Sequence, residues 1–308
     1  MTSEDKLSIW ASAPSETEMI KIKNTKDYIE KVLKDYLDIN EIKRKYNLSS
    51  FTYEVYLQGS YKNSTNIRYD SDVDIVVQVN SVFWSDKSEL SPDEIDRYNK
   101  AYSNTSYGFL ELKEEIYNVL KGYFGEDVAY KNKCIKVNGN TNRVDADVVP
   151  CFQYRVYKKF ISVDNCHFVE GIKFLNTNDN TEIINFPKVH YENGCSKNDD
   201  TDGKYKSMVR VFKNIKRDMV EKGLIDDNIA PSYFIENLIY NCTSHCFDGN
   251  YSESTLKIFQ FLLDSIKQDR LKSFLCVNEQ DMLFSNKTWN LADAIRFIND
   301  AGDYFLNS

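Results

Sequence analysis

Three aspartates carry the chemistry on offer. Asp72 and Asp74 lead the run Asp72-Val-Asp-Ile-Val-Val-Gln-Val79, and Asp147 lies in Arg143-Val-Asp-Ala-Asp-Val-Val-Pro-Cys-Phe152. Residues 73–79 are strongly β-branched, which predicts a buried strand, and side chains two apart on a strand face the same way. Asp72 and Asp74 therefore present two carboxylates side by side. Two like charges so placed are costly to bury. A divalent cation between them removes that cost, and Mg²⁺ suits because carboxylates and substrate phosphates are its usual ligands. Asp147 is a lone carboxylate in an apolar strand that Pro150 is expected to close, so it needs a partner. Beside Asp72 and Asp74 it completes a three-carboxylate, two-metal site. One ion there activates an attacking hydroxyl while the other holds a triphosphate and the leaving oxygen. Upstream, Leu57-Gln58-Gly59-Ser60 reads as strand, tight turn and helix start, running on through Asp70-Ser71 to the paired aspartates. Gly59 lets backbone N–H groups approach a ligand closely, and Ser60 adds a hydroxyl at the same place.

The elements that position these groups follow from periodicity. Residues 14–46 predict one helix, with Ile20, Ile29, Val32, Leu33 and Leu37 at helical spacing, and a strand follows at 52–57. Ser91-Pro92-Asp93 starts a helix expected to run to 121. Residues 127–137 alternate like a half-buried strand, and Asn138-Gly139 turns the chain into the Asp147 strand. Residues 153–190 read as short strands, and 195–206 as a polar loop. Residues 207–222 form an amphipathic helix with Met208, Phe212, Ile215 and Met219 as its core stripe, leaving Arg210, Lys213 and Arg217 off it. Pro231 starts another helix, buried through Phe234, Ile235, Leu238, Ile239 and Cys242. Ser232 and Tyr233 stand at its N-terminal end, where free N–H groups favour phosphate. Tyr233 there can stack on a base, a contact worth about 1–3 kcal/mol. Helices at 252–270 and 288–306 close the chain and read as structural.

Composition narrows the class. The 308 residues carry a net charge of −8, whereas a protein built to grip nucleic acid is usually basic, so extensive DNA or RNA binding is not expected. No long apolar run predicts a membrane span, and the charged start Met-Thr-Ser-Glu-Asp-Lys lacks the apolar core of a signal peptide. The seven cysteines are irregularly spaced and odd in number, which points to reduced thiols in a cytoplasm. Cys242, His245 and Cys246 invite a zinc reading, but no second cluster supplies the remaining ligands of a tetrahedral site. Core cysteines are the expectation.

These residues together resemble a known family. Gly-Ser, then Asp-x-Asp on a strand, then a distant Asp followed by Val-Val-Pro is the signature of polymerase-β-like nucleotidyltransferases. The spelling Ser-Asp-Val-Asp-Ile-Val-Val with Asp-Val-Val-Pro-Cys-Phe is similar to the branch of oligoadenylate synthases, cGAS and DncV, and most of all to the bacterial CD-NTases. The resemblance covers residues 50–250. It departs at Ser64-Thr65, where relatives often carry Gly-Thr.

The resemblance implies an α+β, bilobal fold. A mixed-sheet catalytic lobe occupies residues 1–195, and a helical C-terminal lobe at 196–308 completes the nucleotide pocket. It implies a cyclic dinucleotide synthase that joins two nucleoside triphosphates, drawn from ATP, GTP, UTP and CTP, with release of pyrophosphate, using Mg²⁺ or Mn²⁺ on Asp72, Asp74 and Asp147. The product would be a second messenger in anti-phage defence, read by a downstream receptor or effector. Cyclic UMP-AMP, di-pyrimidine and cyclic di-GMP products all stay open. Nucleotide contacts are implied at Gln58, Gly59, Ser60, Lys197, Lys213, Ser232 and Tyr233. In this reading Lys213 and Ser232 meet the triphosphate, Tyr233 meets the base, and the strands at 153–190 help choose that base. The alternatives are a nucleotidyltransferase that tags RNA, protein or a small molecule, and a non-catalytic nucleotide-binding regulator.

Overall fold

The computed structural model describes residues 1–67, 72–285 and 289–308; Asp70 and Ser71 of the motif lie outside them. In chain order the elements are α1 (Glu4–Ala11), α2 (Glu16–Tyr36), α3 (Ile39–Lys45), β1 (Tyr53–Leu57), α4 (Gly59–Asn63), β2 (Asp72–Asp86), α5 (Pro92–Ala101) and α6 (Phe109–Phe124). There follow β3 (Val128–Tyr130), β4 (Ile135–Val137), β5 (Asp145–Ser162), β6 (Asn165–Asn176) and β7 (Thr181–Asn185). The chain ends with α7 (Pro187–Asp199), α8 (Lys204–Glu221), α9 (Ser232–Tyr240), α10 (Tyr251–Lys267) and α11 (Leu291–Asn307). No helix among the described residues is long and apolar enough to cross a membrane.

The chain divides into two compact units. A sheet unit takes Glu16–Gln58 and Ser71–Lys188; a helical unit takes Met1–Ser15, Gly59–Asp70 and Val189–Ser308. Thus Met1–Ser15 and the Gly59 segment belong with the C-terminal helices.

The sheet unit is one mixed sheet in the order β1-β2-β5-β4-β3, with β6 on β5 and β7 on β6. β2 and β5 run parallel; the other pairings are antiparallel. Val73, Ile75, Val77 and Val79 are fully buried on one face of β2, which leaves Asp72, Asp74, Val76 and Gln78 to share the other. Pro150 does not close its strand as expected. β5 runs through it, because β4 ends its pairing at Val148 and β6 begins at Phe152. A residue with no N–H fits the gap between two successive neighbours.

Other expectations shift for local reasons. The helix expected over 93–121 breaks between Ala101 and Phe109, where Ser103-Asn-Thr-Ser106 and Gly108 intervene. The half-buried strand at 127–137 is a hairpin, β3 and β4, closed by Lys131 N–H donating to the Cys134 carbonyl at 3.0 Å. Of the short strands expected over 153–190, β7 is short, but β5 and β6 form a long pair and the last residues of the range open α7. The loop expected at 195–206 is helical to Asp199 and again from Lys204.

In the helical unit α8 is the hub, packed by α1, α9, α10 and α11. Its stripe of Met208, Phe212, Ile215 and Met219 is buried as expected, but so are Arg210, Lys213 and Asn214. Buried polar side chains require partners, and these find backbone. Arg210 donates to the carbonyls of Ala11 (2.8 Å) and Ser64, and Asn214 to that of Trp10 (3.2 Å). Cys242 and Cys246 are buried in this core, while His245 stays exposed on Asp248 at 2.8 Å.

Candidate active site

The parallel register of β2 and β5 sets Asp74 directly opposite Asp147, with Asp72 opposite Asp145. Paired residues share a face, so the structure brings all three predicted carboxylates to adjacent positions on the sheet. Burial, then the charges of Asp147 and Asp72, push the Asp74 carboxyl up to about 6.

Two neighbours were not legible as site residues. Cys134 and Lys136 alternate onto the same face of the β4 segment, and Lys136 lies opposite Asp147. The Lys136 ammonium meets Asp72 Oδ2 at 2.6 Å. Burial, then the nearby charge of Asp147, push the Cys134 thiol up to about 12. The alternation at 127–137, carried through the Asn138-Gly139 turn, was the available signal. Asp145, by contrast, is held by the Gly139 N–H at 2.5 Å.

Hard oxygen donors on neighbouring strands, one of them charge-strained and one already carrying an ammonium, fit a hard divalent cation. Among the described residues no three metal-ligating side chains are gathered closely enough to hold an ion as they stand; Asp72 is engaged by Lys136.

The other predicted contacts fall as follows. Gln58 ends the sheet unit, its N–H donating to the Asp74 carbonyl at 3.0 Å. Gly59 takes a φ of +67° at the start of α4, a conformation that favours glycine, and Ser60 follows, its carbonyl accepting from Thr65 N–H at 2.9 Å. Ser232 is the exposed first residue of α9. Tyr233, 42% exposed, stacks on His190 with ring centroids 5.4 Å apart, which leaves it as an aromatic platform. Lys213 is buried, its ammonium donating to the Thr65 carbonyl at 2.9 Å. Lys197 donates to the Cys242 carbonyl at 2.6 Å.

A further residue organises this second group. Glu236 of α9 is buried and accepts from His190 Nε2 (2.7 Å), Asn63 Nδ2 (3.2 Å) and Thr65 Oγ1 (2.8 Å), with Lys213 Nζ 3.9 Å away. A glutamate within the apolar run Phe234-Ile-Glu-Asn-Leu-Ile239 was its signal, since a charge in a buried stripe demands partners.

Residues 38–169 match the family described as "Nucleotidyltransferase domain", and residues 192–306 that described as "cGAS/DncV-like nucleotidyltransferase C-terminal helical domain". These family matches and the fold define a nucleotidyltransferase. The chain is 39% identical over 289 residues to a cyclic nucleotide synthase of Staphylococcus haemolyticus, covering 92% of each. It is 36% identical over 304 residues to a cyclic dipurine nucleotide synthase of Elizabethkingia meningoseptica, covering 98% of each. Among solved structures, the Rhodothermus marinus CdnE c-UMP-AMP synthase with Apcpp and Upnpp superposes with a TM-score of 0.82 at 34% identity, over 99% of this chain and 97% of that one. The chain belongs to the bacterial CD-NTases, the cGAS/DncV-like nucleotidyltransferases.

Proposed function

We propose that this enzyme is a cyclic dinucleotide synthase that joins two nucleoside triphosphates, releases pyrophosphate at each transfer, and so makes a second messenger of bacterial anti-phage defence. The observation that carries the reading is the register that sets Asp74 against Asp147 with Asp72 two residues away. The names of the relatives support cyclisation, and they differ in base: dipurine in one, UMP-AMP in another, dipyrimidine in a third.

Nucleotidyltransferases of this type are generally dependent on divalent metal, and here Asp72, Asp74 and Asp147 would hold Mg²⁺ or Mn²⁺. When bound, such ions neutralise triphosphate charge and favour deprotonation of the attacking ribose hydroxyl. The chain's own part is mostly positioning. The pairing of β5 with β2 and β4 holds Asp147 in place beside Asp74. Gly59 and Ser60 present backbone N–H groups and a hydroxyl to phosphates, and Ser232 does so at the start of α9. Tyr233, braced by His190, offers its ring to a base. Lys213 contributes by holding the Thr65 carbonyl, and with it the segment that follows Ser60.

The test is incubation of the pure protein with the four nucleoside triphosphates and Mg²⁺ or Mn²⁺, read by mass spectrometry. A cyclic dinucleotide with pyrophosphate and no macromolecular acceptor is the expected result. A tight triphosphate complex that releases no pyrophosphate overturns the reading. Gly59→Val offers a further check. A β-branched residue forced into the left-handed region costs about 1–2 kcal/mol, so urea unfolding should register that loss. Pyrophosphate release should fall further than the folded fraction does.

A further inference from the structure

We propose that Lys136 is the built-in counter-ion of the carboxylate cluster: its ammonium holds Asp72 in the metal-free enzyme, and a divalent cation must displace it to engage the aspartates. The inference rests on the reading of Asp72, Asp74 and Asp147 as metal ligands.

The sheet geometry makes the case. Lys136 is the central residue of β4, and β5 separates β4 from β2. Neighbouring strands lie about 4.8 Å apart, so a lysine on β4 that touches a carboxylate of β2 must extend across β5. Lys136 does so. It starts opposite Asp147 and ends 2.6 Å from Asp72 Oδ2, so its stem crosses the part of the face where the carboxylates lie. The lysine stem is covered while the ion pair itself meets solvent: the Lys136 side chain is 17% exposed and that of Asp72 40%. Asp145, the nearer carboxylate across from Asp72, is engaged by the Gly139 N–H. The ammonium therefore reaches past it to a predicted metal ligand.

Two consequences follow from charge. The Lys136 ammonium offsets part of the repulsion among three carboxylates, which stabilises the metal-free fold. A divalent ion brings twice that charge and stronger oxygen ligation, so it prevails, but the ion pair it breaks is subtracted from its affinity. Removing the lysine charge should tighten metal binding and weaken the metal-free fold together, a combination that a residue serving only packing would not produce.

The variant is Lys136→Met, which keeps the stem and removes the charge, with Lys136→Arg as the charge-conserving control. Binding of Mn²⁺ without nucleotide is followed by electron paramagnetic resonance and by the unfolding temperature across a Mn²⁺ titration. The expected result is a Mn²⁺ dissociation constant at least threefold lower in Lys136→Met, an unfolding temperature below wild type without metal, and values near wild type in Lys136→Arg. An unchanged or raised dissociation constant in Lys136→Met overturns the proposal.

If that variant does not fold, the wild-type chain still decides. After reductive ¹³C-methylation, the Lys136 resonance (assigned by its loss in Lys136→Arg) should shift on addition of Mg²⁺. A resonance indifferent to Mg²⁺ overturns the proposal. Pyrophosphate release by wild type is read in parallel. A wild type that binds Mn²⁺, tighter still in Lys136→Met, yet transfers nothing overturns the proposed function and supports the counter-ion. An active wild type whose Mn²⁺ affinity ignores the lysine overturns the counter-ion alone.

Discussion

Asp72→Asn combined with Asp74→Asn should abolish pyrophosphate release, on the order of 10³-fold or more, because preorganised charge is the main catalytic resource of such a site. The chain should still fold. Asp74 alone should even show a gain. Its carboxyl is pushed up from 3.8 to about 6, first by burial and then by Asp147 and Asp72. A folded-state value above the unfolded one means that the ionised form is disfavoured by the fold. The penalty is fully present above about pH 6 and vanishes below about pH 4, and the shift corresponds to roughly 3 kcal/mol. Asp74→Asn should therefore raise the unfolding free energy of the metal-free protein at pH 7.5 and lose that advantage at pH 4. Urea unfolding at the two pH values checks the sign, and a phosphate-release assay coupled to pyrophosphatase checks the activity. Full activity in the double variant would falsify the assignment of the catalytic carboxylates.

Glu236→Ala should produce the largest loss of stability, about 3–5 kcal/mol, the usual result of removing one partner from a buried charge cluster. It removes the acceptor of His190 and the carboxylate near Lys213, and frees the side chains of Asn63 and Thr65 from their acceptor. Burial alone would raise the Glu236 carboxyl, but His190, Lys213 and the Thr65 hydroxyl outweigh it and hold the group down to about 2. A depressed folded-state value contributes stability that is present above about pH 4.5 and is lost as pH falls toward 2. The wild type should thus unfold steeply over that range, and Glu236→Ala, already weakened at neutral pH, should show a shallower acid transition. Circular dichroism across a pH series distinguishes the two. Equal slopes would show that the carboxylate contributes nothing through its charge.

The motif-bearing strands were legible because their chemistry is local. Alternation put Asp72 and Asp74 on one face, and an isolated aspartate in an apolar strand pointed to company for Asp147. What escaped depends on partners remote in sequence. Nothing near Pro150 announces that β5 exchanges one neighbour for another there. The burial of Lys213 and Arg210 escapes the pattern because a helical stripe reports one buried face, whereas α8 is enclosed by four other helices. The helix α1 went unread: its buried Leu7, Trp10 and Ala11 are too few to establish a period. The stretch of α7 after Gly194 reads as a loop because its last turns are polar and its buried residues, His190 and Gly194, are not apolar anchors. Lys136 was visible only as one residue of an alternating strand, since its significance depends on which strand lies two places away.

The parallel alignment of β2 with β5 also governs how the enzyme comes into being. A hairpin could not have joined these strands; the intervening chain holds two helices and a further hairpin. Closing so long a loop is slow relative to local pairing. A nascent chain that has extruded the first two aspartates cannot yet assemble the carboxylate trio, and it gains the capacity only when the third arrives and docks. Premature termination anywhere before Asp147 should therefore yield fragments without transferase activity, because β5 and the strands that follow it are then missing from the sheet.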